Sequence, residues 1–277
     1  MKFEPMRLLV LNSCLFSLLA FASAQEQQVR LKVDLVSWGS PASGLTLKSL
    51  KGKTTKAESF TYNETLTYSG PQVLSIYQVE VEEPDQEEEE NEGGDESPAR
   101  PIAPPEPSKP VDLDKIKGPL VKRLFERRKK EPELVCLVSL PSDSRHVTIL
   151  LAPSLQGTFK PYVIDDDPNK LPEGKLRIHN LTGFPVGIEQ INGKQKAPIA
   201  PNKHFLFDPD DGDRFKYKIS YMKGKEWKKV TNNVIRVPAE QQTQLVVLQS
   251  NNDFFVNTDG GRQGFFQYTL LQRGPQQ

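Results

Sequence analysis

Three histidines, His146, His179 and His204, are the side chains whose ordinary pKa lies nearest neutrality, which makes them the first candidates for acid–base work. Each stands alone in sequence. There is no His-x-x-x-His, no Gly-x-Ser-x-Gly and no phosphate-cradling glycine loop, so no spacing nominates a catalytic residue and none is assigned. His179, before Asn180 at the end of a predicted strand, reads as a polar edge residue rather than a base. Two acid clusters could do other chemistry. Asp208, Asp210, Asp211 and Asp213 have the oxygen density that calcium prefers, without the EF-hand spacing, since Gly212 takes the fifth position and the terminal glutamate is missing. Turn formation explains them as well, because Asp side chains bond the local backbone. Together with Asp165, Asp166 and Asp167 they are also the carboxylates a glycan-active hydrolase would need, paired roughly 5 to 10 Å apart in a cleft.

Binding chemistry has two further candidates. Trp38, Trp227, Phe184 and Tyr268 are aromatic side chains that could offer flat apolar faces to a sugar, although a core between two sheets is the more ordinary destination for such rings. Lys122, Arg123, Arg127 and Arg128 form a basic patch in a stretch, residues 114–130, with eight Lys or Arg and two acids. Gly118 and Pro119 suit a helix start, and Leu120, Val121, Leu124 and Phe125 then share one face, which predicts an amphipathic helix over 114–131. Its basic side either docks on an acidic partner or faces solvent while the helix packs on its own sheet, and the second reading is preferred.

The elements that must position these residues read as strands. Val29, Leu31, Val33 and Leu35 alternate with Arg30, Lys32 and Asp34, and Phe215, Tyr217, Ile219 and Tyr221 alternate with Lys216, Lys218 and Ser220. Short β-rich runs recur between turn signals such as Asn192-Gly193 and Asp211-Gly212. The fold class expected is all-β: an antiparallel β-sandwich, in two packed units, with one short helix. Residues 80–96 hold eleven acids and no base, and residues 98–110 hold six prolines, so 80–113 is expected to be a disordered linker or insertion. That divides the chain into an N-terminal β segment over 25–79, the linker, the helix, and a β-sandwich domain over 134–277. Gln72 to Gln78 would gain by pairing with strands after residue 133, which would make the whole of 80–133 an excursion from one assembly.

Met1, Lys2 and Arg7 precede an uncharged run from Leu8 to Ala22, and Ala22-Ser23-Ala24 suits signal peptidase, so residues 1–24 read as a secretory signal peptide. Removing Lys2, Arg7 and Glu4 from the 36 basic and 36 acidic side chains leaves 34 and 35, a net of about −1, which gives no general field for nucleic acid. Removal also takes Cys14 and leaves Cys136 alone in Leu134-Val135-Cys136-Leu137-Val138, a predicted core strand, so no intramolecular disulfide is expected. No later segment is apolar enough to span a membrane. Asn63 and Asn180 begin glycosylation sequons to which no role is assigned.

Gly174-Lys-Leu-Arg-Ile-His-Asn-Leu-Thr-Gly-Phe-Pro-Val-Gly-Ile-Glu-Gln-Ile-Asn-Gly193, followed by Pro198-Ile-Ala-Pro201, resembles the strand, Asn-containing turn, strand and Asn-Gly turn of bacterial secreted β-sandwich domains, in the group that includes the alginate O-acetylation accessory protein. The resemblance covers about residues 174–250, and the acidic, proline-rich 80–110 lies outside it. It implies an accessory protein of the envelope or surface without catalytic residues. The functional expectation is thus a secreted, periplasmic or surface-associated, non-catalytic binding or structural protein. No cofactor is expected, and the sequence does not identify a partner, an envelope protein or polysaccharide being the candidates; the narrower form is an exopolysaccharide accessory. The alternatives are the hydrolase, and a charged tether that binds a protein partner through 80–130.

Overall fold

The computed structural model describes residues 27–47, 53–79, 118–191, 195–209, 213–249 and 266–274. The predicted signal peptide over 1–24, the predicted linker over 80–113, and Asp210 and Asp211 of the calcium candidate lie outside them. The first strands are β1 (Gln28–Ser37), β2 (Ala42–Leu47), β3 (Thr54–Ser59), β4 (Leu66–Pro71) and β5 (Val73–Gln78). One helix, α1 (Pro119–Arg128), precedes β6 (Leu134–Ser139), β7 (His146–Pro153) and β8 (Phe159–Asp165). These strands form one sheet in the order β6-β5-β2-β3-β1-β7-β8, with β4 also beside β1. Its outer strands β6 and β8 come into contact, so the sheet curls around a core that includes Val33, Leu35, Leu45, Ile76, Cys136, Val147 and Ile149.

The second unit comprises β9 (Leu176–Asn180), β10 (Val186–Gln190), β11 (Lys196–Ile199), β12 (Lys203–Phe207), β13 (Arg214–Lys223), β14 (Glu226–Arg236), β15 (Gln242–Gln249) and β16 (Phe266–Arg273). They make two four-stranded sheets, β11-β10-β13-β14 and β12-β9-β15-β16. The two sheets enclose a core that includes Leu176, Ile188, Phe207, Phe215, Tyr217 and Val247. The expected all-β, sandwich-like fold is what the chain adopts.

Two expectations are corrected. The sheets are not antiparallel throughout: β1 runs parallel to β3 and β7, and β9 runs parallel to β15. Period-two alternation specifies which face a residue occupies but not which strand comes beside it, so the pattern could not show this. The boundary also differs. β6 pairs with β5, and β7 pairs with β1, so residues 134–165 complete the first unit and the second begins near β9. The pairing of Gln72 to Gln78 with a strand after residue 133 is as expected, and so is the core placement of Cys136, whose thiol is buried and pushed up by that burial.

α1 is shorter than its predicted span. It starts at Pro119 behind Gly118 and buries Leu124 and Phe125. Leu124 packs with Leu134 and Leu137 of β6, so the helix rests on the protein's own sheet.

The two units meet along a third core. Strand alternation makes it: Val33 and Leu35 enter the first core, while Asp34 and Val36 point to the seam. β7 does the same with Val147 and Ile149 on one side and Leu150 on the other. From the second unit, Leu245 and Val247 face its own core while Val246 and Leu248 face the seam. Trp38, Ile164 and Leu271 complete the apolar half of this seam.

Candidate functional site

The polar half of the seam gathers His146 and His179 with the carboxylates Asp34 and Asp166. Asp34 of β1 and His146 of β7 lie side by side, because Lys32 pairs with His146 in a parallel ladder and sets the two strands in register. Asp34 Oδ2 is 2.8 Å from His146 Nε2, and Thr65 Oγ1 donates to Asp34 Oδ1 at 2.6 Å. Arg273 of β16 reaches across from the second unit. It donates to Asp34 Oδ2 and, at 3.2 Å, to Asp166 Oδ2, and its guanidinium stacks 4.4 Å from the centre of the Tyr62 ring. Its Nη1 is 3.0 Å from His146 Nδ1. The same Nη1 lies 2.8 Å from His146 Nε2, so the guanidinium borders both ring nitrogens.

Asp166 binds the network to β15. Its Oδ1 accepts from Gln244 Nε2 at 2.6 Å, and its Oδ2 accepts from Thr148 Oγ1. Gln244 Oε1 in turn accepts from His179 Nε2 at 2.7 Å, so one amide side chain connects a carboxylate of the first unit to a histidine of the second. Asp34 is 1% exposed and Asp166 0%, and the buried Arg177 and the partly buried Arg273 balance them in formal charge. Burial would raise the Asp34 carboxyl, but the His146 bond, Arg273 and Thr65 together hold it below the ordinary value. For Asp166 burial prevails over Arg273, Thr148 and Gln244, and its carboxyl lies above the ordinary range. Burial also drives His179 down to about 3, so this imidazole is neutral at physiological pH. Arg177 donates through Nη1 to the backbone oxygen of Asp165, while its Nε and Nη2 have no hydrogen-bond partner among the described residues.

The sequence-predicted residues are distributed differently from one another. Trp38 is corrected from ligand platform to core: it is 2% exposed, meets Phe60 edge-on at 5.1 Å and donates from its indole to Gln267 at 3.1 Å. Phe184 and Tyr268 pack against the second core, with Phe184 5.5 Å from both Tyr221 and Phe266, so they too serve packing. Trp227 is the one of the four that is exposed, at 44%. The basic patch is likewise divided. Arg127 turns inward to Glu131, Ser75 and Tyr77, and Arg128 donates to the Gln156 carbonyl at 2.8 Å, which removes both from a docking face; Lys122 and Arg123 are exposed. Of the calcium candidates, Asp208 pairs with Lys175, and Asp213 accepts from Arg236 at 2.8 Å, so the described members are held by cations. Among the described residues no group of three or more metal-ligating side chains forms. Asp165 and Asp167 bond Lys170 and Arg145.

The Asn180 sequon has a local structural role. Asn180 is 0% exposed, donates at 2.8 Å to the carbonyls of Phe184 and Ile199, and accepts from the backbone and hydroxyl of Thr182. The Asn-x-Thr spacing here is an Asx-type turn that closes the β9 end.

Sequence reasoning missed Asp34, Thr148, Arg177, Gln244 and Arg273. The available signal was a single polar residue inside an apolar run, as in Val33-Asp34-Leu35 and Lys175-Leu-Arg-Ile178, which reads equally well as the solvent face of a strand.

Outside the seam, the outer face of β11-β10-β13-β14 has its own character. Phe215, Tyr217 and Ile219 face the core, which turns Arg214, Lys216, Lys218 and Ser220 outward. The register then places Lys216 beside Val234, Lys218 beside Asn232 and Met222 beside Trp227 on the same face. Gly187 lies under the Trp227 indole. A Cβ there would come within 3.0 Å of Trp227 Cζ3 and 2.7 Å of Ser220 Oγ, so a side chain at this position would turn the hydroxyl and push the ring outward by a few tenths of an ångström.

Compared with known proteins, the chain matches no family model and no curated protein.

Proposed function

We propose that the chain is a secreted, non-catalytic protein of the cell envelope or surface, which binds or supports other envelope components through its outward faces. The observation that carries this reading is the closed seam. Asp34, His146 and Asp166 make the type of carboxylate and imidazole contact that a hydrolase uses, but each is directed at Arg273, Gln244 or a threonine inside a contact between two units. Groups bonded to one another in this way stabilise an assembly, since a bonded buried network orders its surroundings. The signal-peptide pattern of residues 1–24 supports export, and no helix among the described residues is long and apolar enough to cross a membrane.

The test pairs turnover with retention. The mature chain is incubated with neutral, acidic and acetylated polysaccharides while reducing ends and acetate are followed, and in parallel it is passed over an envelope polysaccharide fraction. Retention without turnover is expected. Turnover that disappears in His146→Gln would overturn the reading in favour of a hydrolase. A version lacking residues 80–113 separates the charged tether; the deletion stops before α1 because Leu124 and Phe125 are part of the packing.

A further inference from the structure

Six basic residues, Lys196, Lys216, Lys218, Lys229, Arg214 and Arg236, alternate outward on the β11-β10-β13-β14 sheet against one acidic residue, Glu189. Glu189 is shared by Lys196 at 3.0 Å and Lys218 at 3.3 Å, and Arg236 is held by Asp213. Lys216 and Lys229 have no anionic partner among the described residues, and they flank Val234 and Trp227, both more than 40% exposed. From this arrangement we infer that the outer face of this sheet binds an acidic polysaccharide, with the Trp227 indole against the C–H face of one sugar ring and Lys216 and Lys229 on carboxylates of the same chain.

Three features argue for this occupant. The face carries an excess of positive charge, which an uncharged polymer would leave unmatched. The indole lies along the sheet over Gly187 rather than standing out from it, because Gly187 leaves the space; a flat ring exposed in this way suits the flat apolar side of a pyranose better than an irregular peptide surface. Lys216, Lys218 and Lys229 occupy successive outward rows of the ladder, opposite Val234, Asn232 and Ser220 in turn, so cations repeat along the sheet as uronate carboxylates repeat along a polymer. This inference rests on the non-catalytic binding reading above and names its site and ligand class.

The experiment is affinity electrophoresis of the mature full chain through gels containing polygalacturonate, dextran or polyglutamate at about 0.1 M salt, where surface charges act over about 10 Å. Retardation by polygalacturonate is expected, at least about tenfold stronger than by dextran or polyglutamate, a difference of about 1.4 kcal/mol. Trp227→Ala and the double variant Lys216→Glu/Lys229→Glu are each expected to lose about tenfold or more, with unchanged unfolding midpoints, whereas the α1 variant Lys122→Glu/Arg123→Glu runs as the parent. Equal retardation by polyglutamate that survives Trp227→Ala would overturn the proposal in favour of an acidic protein partner. Loss only in the α1 variant would move the site to the helix and leave the non-catalytic reading standing. No retardation by polygalacturonate would overturn this ligand class alone, whereas release of reducing ends from the gel polymer would contradict the reading beneath it.

Discussion

The seam between the units and the outer face of the β11-β10-β13-β14 sheet use the same residue types for opposite ends. In the seam, Arg273 stacks on Tyr62 and bonds two carboxylates, and the cluster is almost wholly withdrawn from water. On the outer face, Trp227 and its neighbouring lysines remain solvated, and the one carboxylate is shared by two lysines at the surface. The difference is burial. A buried charge must be bonded or the fold is lost, while an exposed charge contributes little to stability and is available to a partner.

The largest effect expected on this contrast comes from Arg273→Met. It leaves Asp34 and Asp166 buried with one fewer cation, and should lower unfolding stability by about 3 to 5 kcal/mol, as measured by urea denaturation. A loss below 1 kcal/mol would mean that the seam is not the structural element described here. Acid pH gives the next effect. His179 is held near 3 in the folded chain and returns to its ordinary value on unfolding, so the unfolded state binds the extra proton between those two values. Stability should therefore fall as pH drops through 6.5, by on the order of 1 kcal/mol per pH unit. Asp34, held low, is lost in the same direction at more acid pH, while Asp166, held high, acts in the opposite sense. Urea midpoints from pH 7 to 5 for the parent and His179→Gln isolate the histidine, and the two curves should converge as pH falls.

Arg177→Met sharpens the comparison within the seam. Arg177 is as buried as its neighbours but donates only through Nη1, so removing it should cost less than half of what Arg273→Met costs, about 2 kcal/mol or less on the same denaturation scale. The smallest effect belongs to the outer face: Trp227→Ala should shift stability by no more than about 0.5 kcal/mol, read from the thermal midpoint.

Much of the fold was legible because alternation fixes faces. Val29 to Leu35, Phe215 to Tyr221 and the core run around Cys136 were all placed correctly, and Gly118-Pro119 marked the helix start. The seam was not legible. Asp34 alternates with Val33 and Leu35 just as Arg30 and Lys32 alternate with their neighbours, yet Arg30 and Lys32 meet water and Asp34 meets Arg273. The second unit covers only the later half of β1, and nothing local to the strand announces a cover supplied by a segment more than two hundred residues away. Separation in sequence, 112 residues between Asp34 and His146, also hid the parallel pairing of β1 with β7, and with it the true boundary between the units. On the outer face, Trp227 was recognised as a candidate, but not the glycine that seats it, since Gly187 and Trp227 lie on strands separated by β13.

The most direct measurement sets the two regions against each other: retardation in polygalacturonate gels of Arg177→Met beside Trp227→Ala, both first shown to be folded by their unfolding transitions. The account predicts that Arg177→Met migrates like the parent while Trp227→Ala has lost about tenfold or more of the retardation. Parent-like migration of Trp227→Ala, or equal loss in Arg177→Met, would contradict the assignment of stability to the seam and recognition to the outer face.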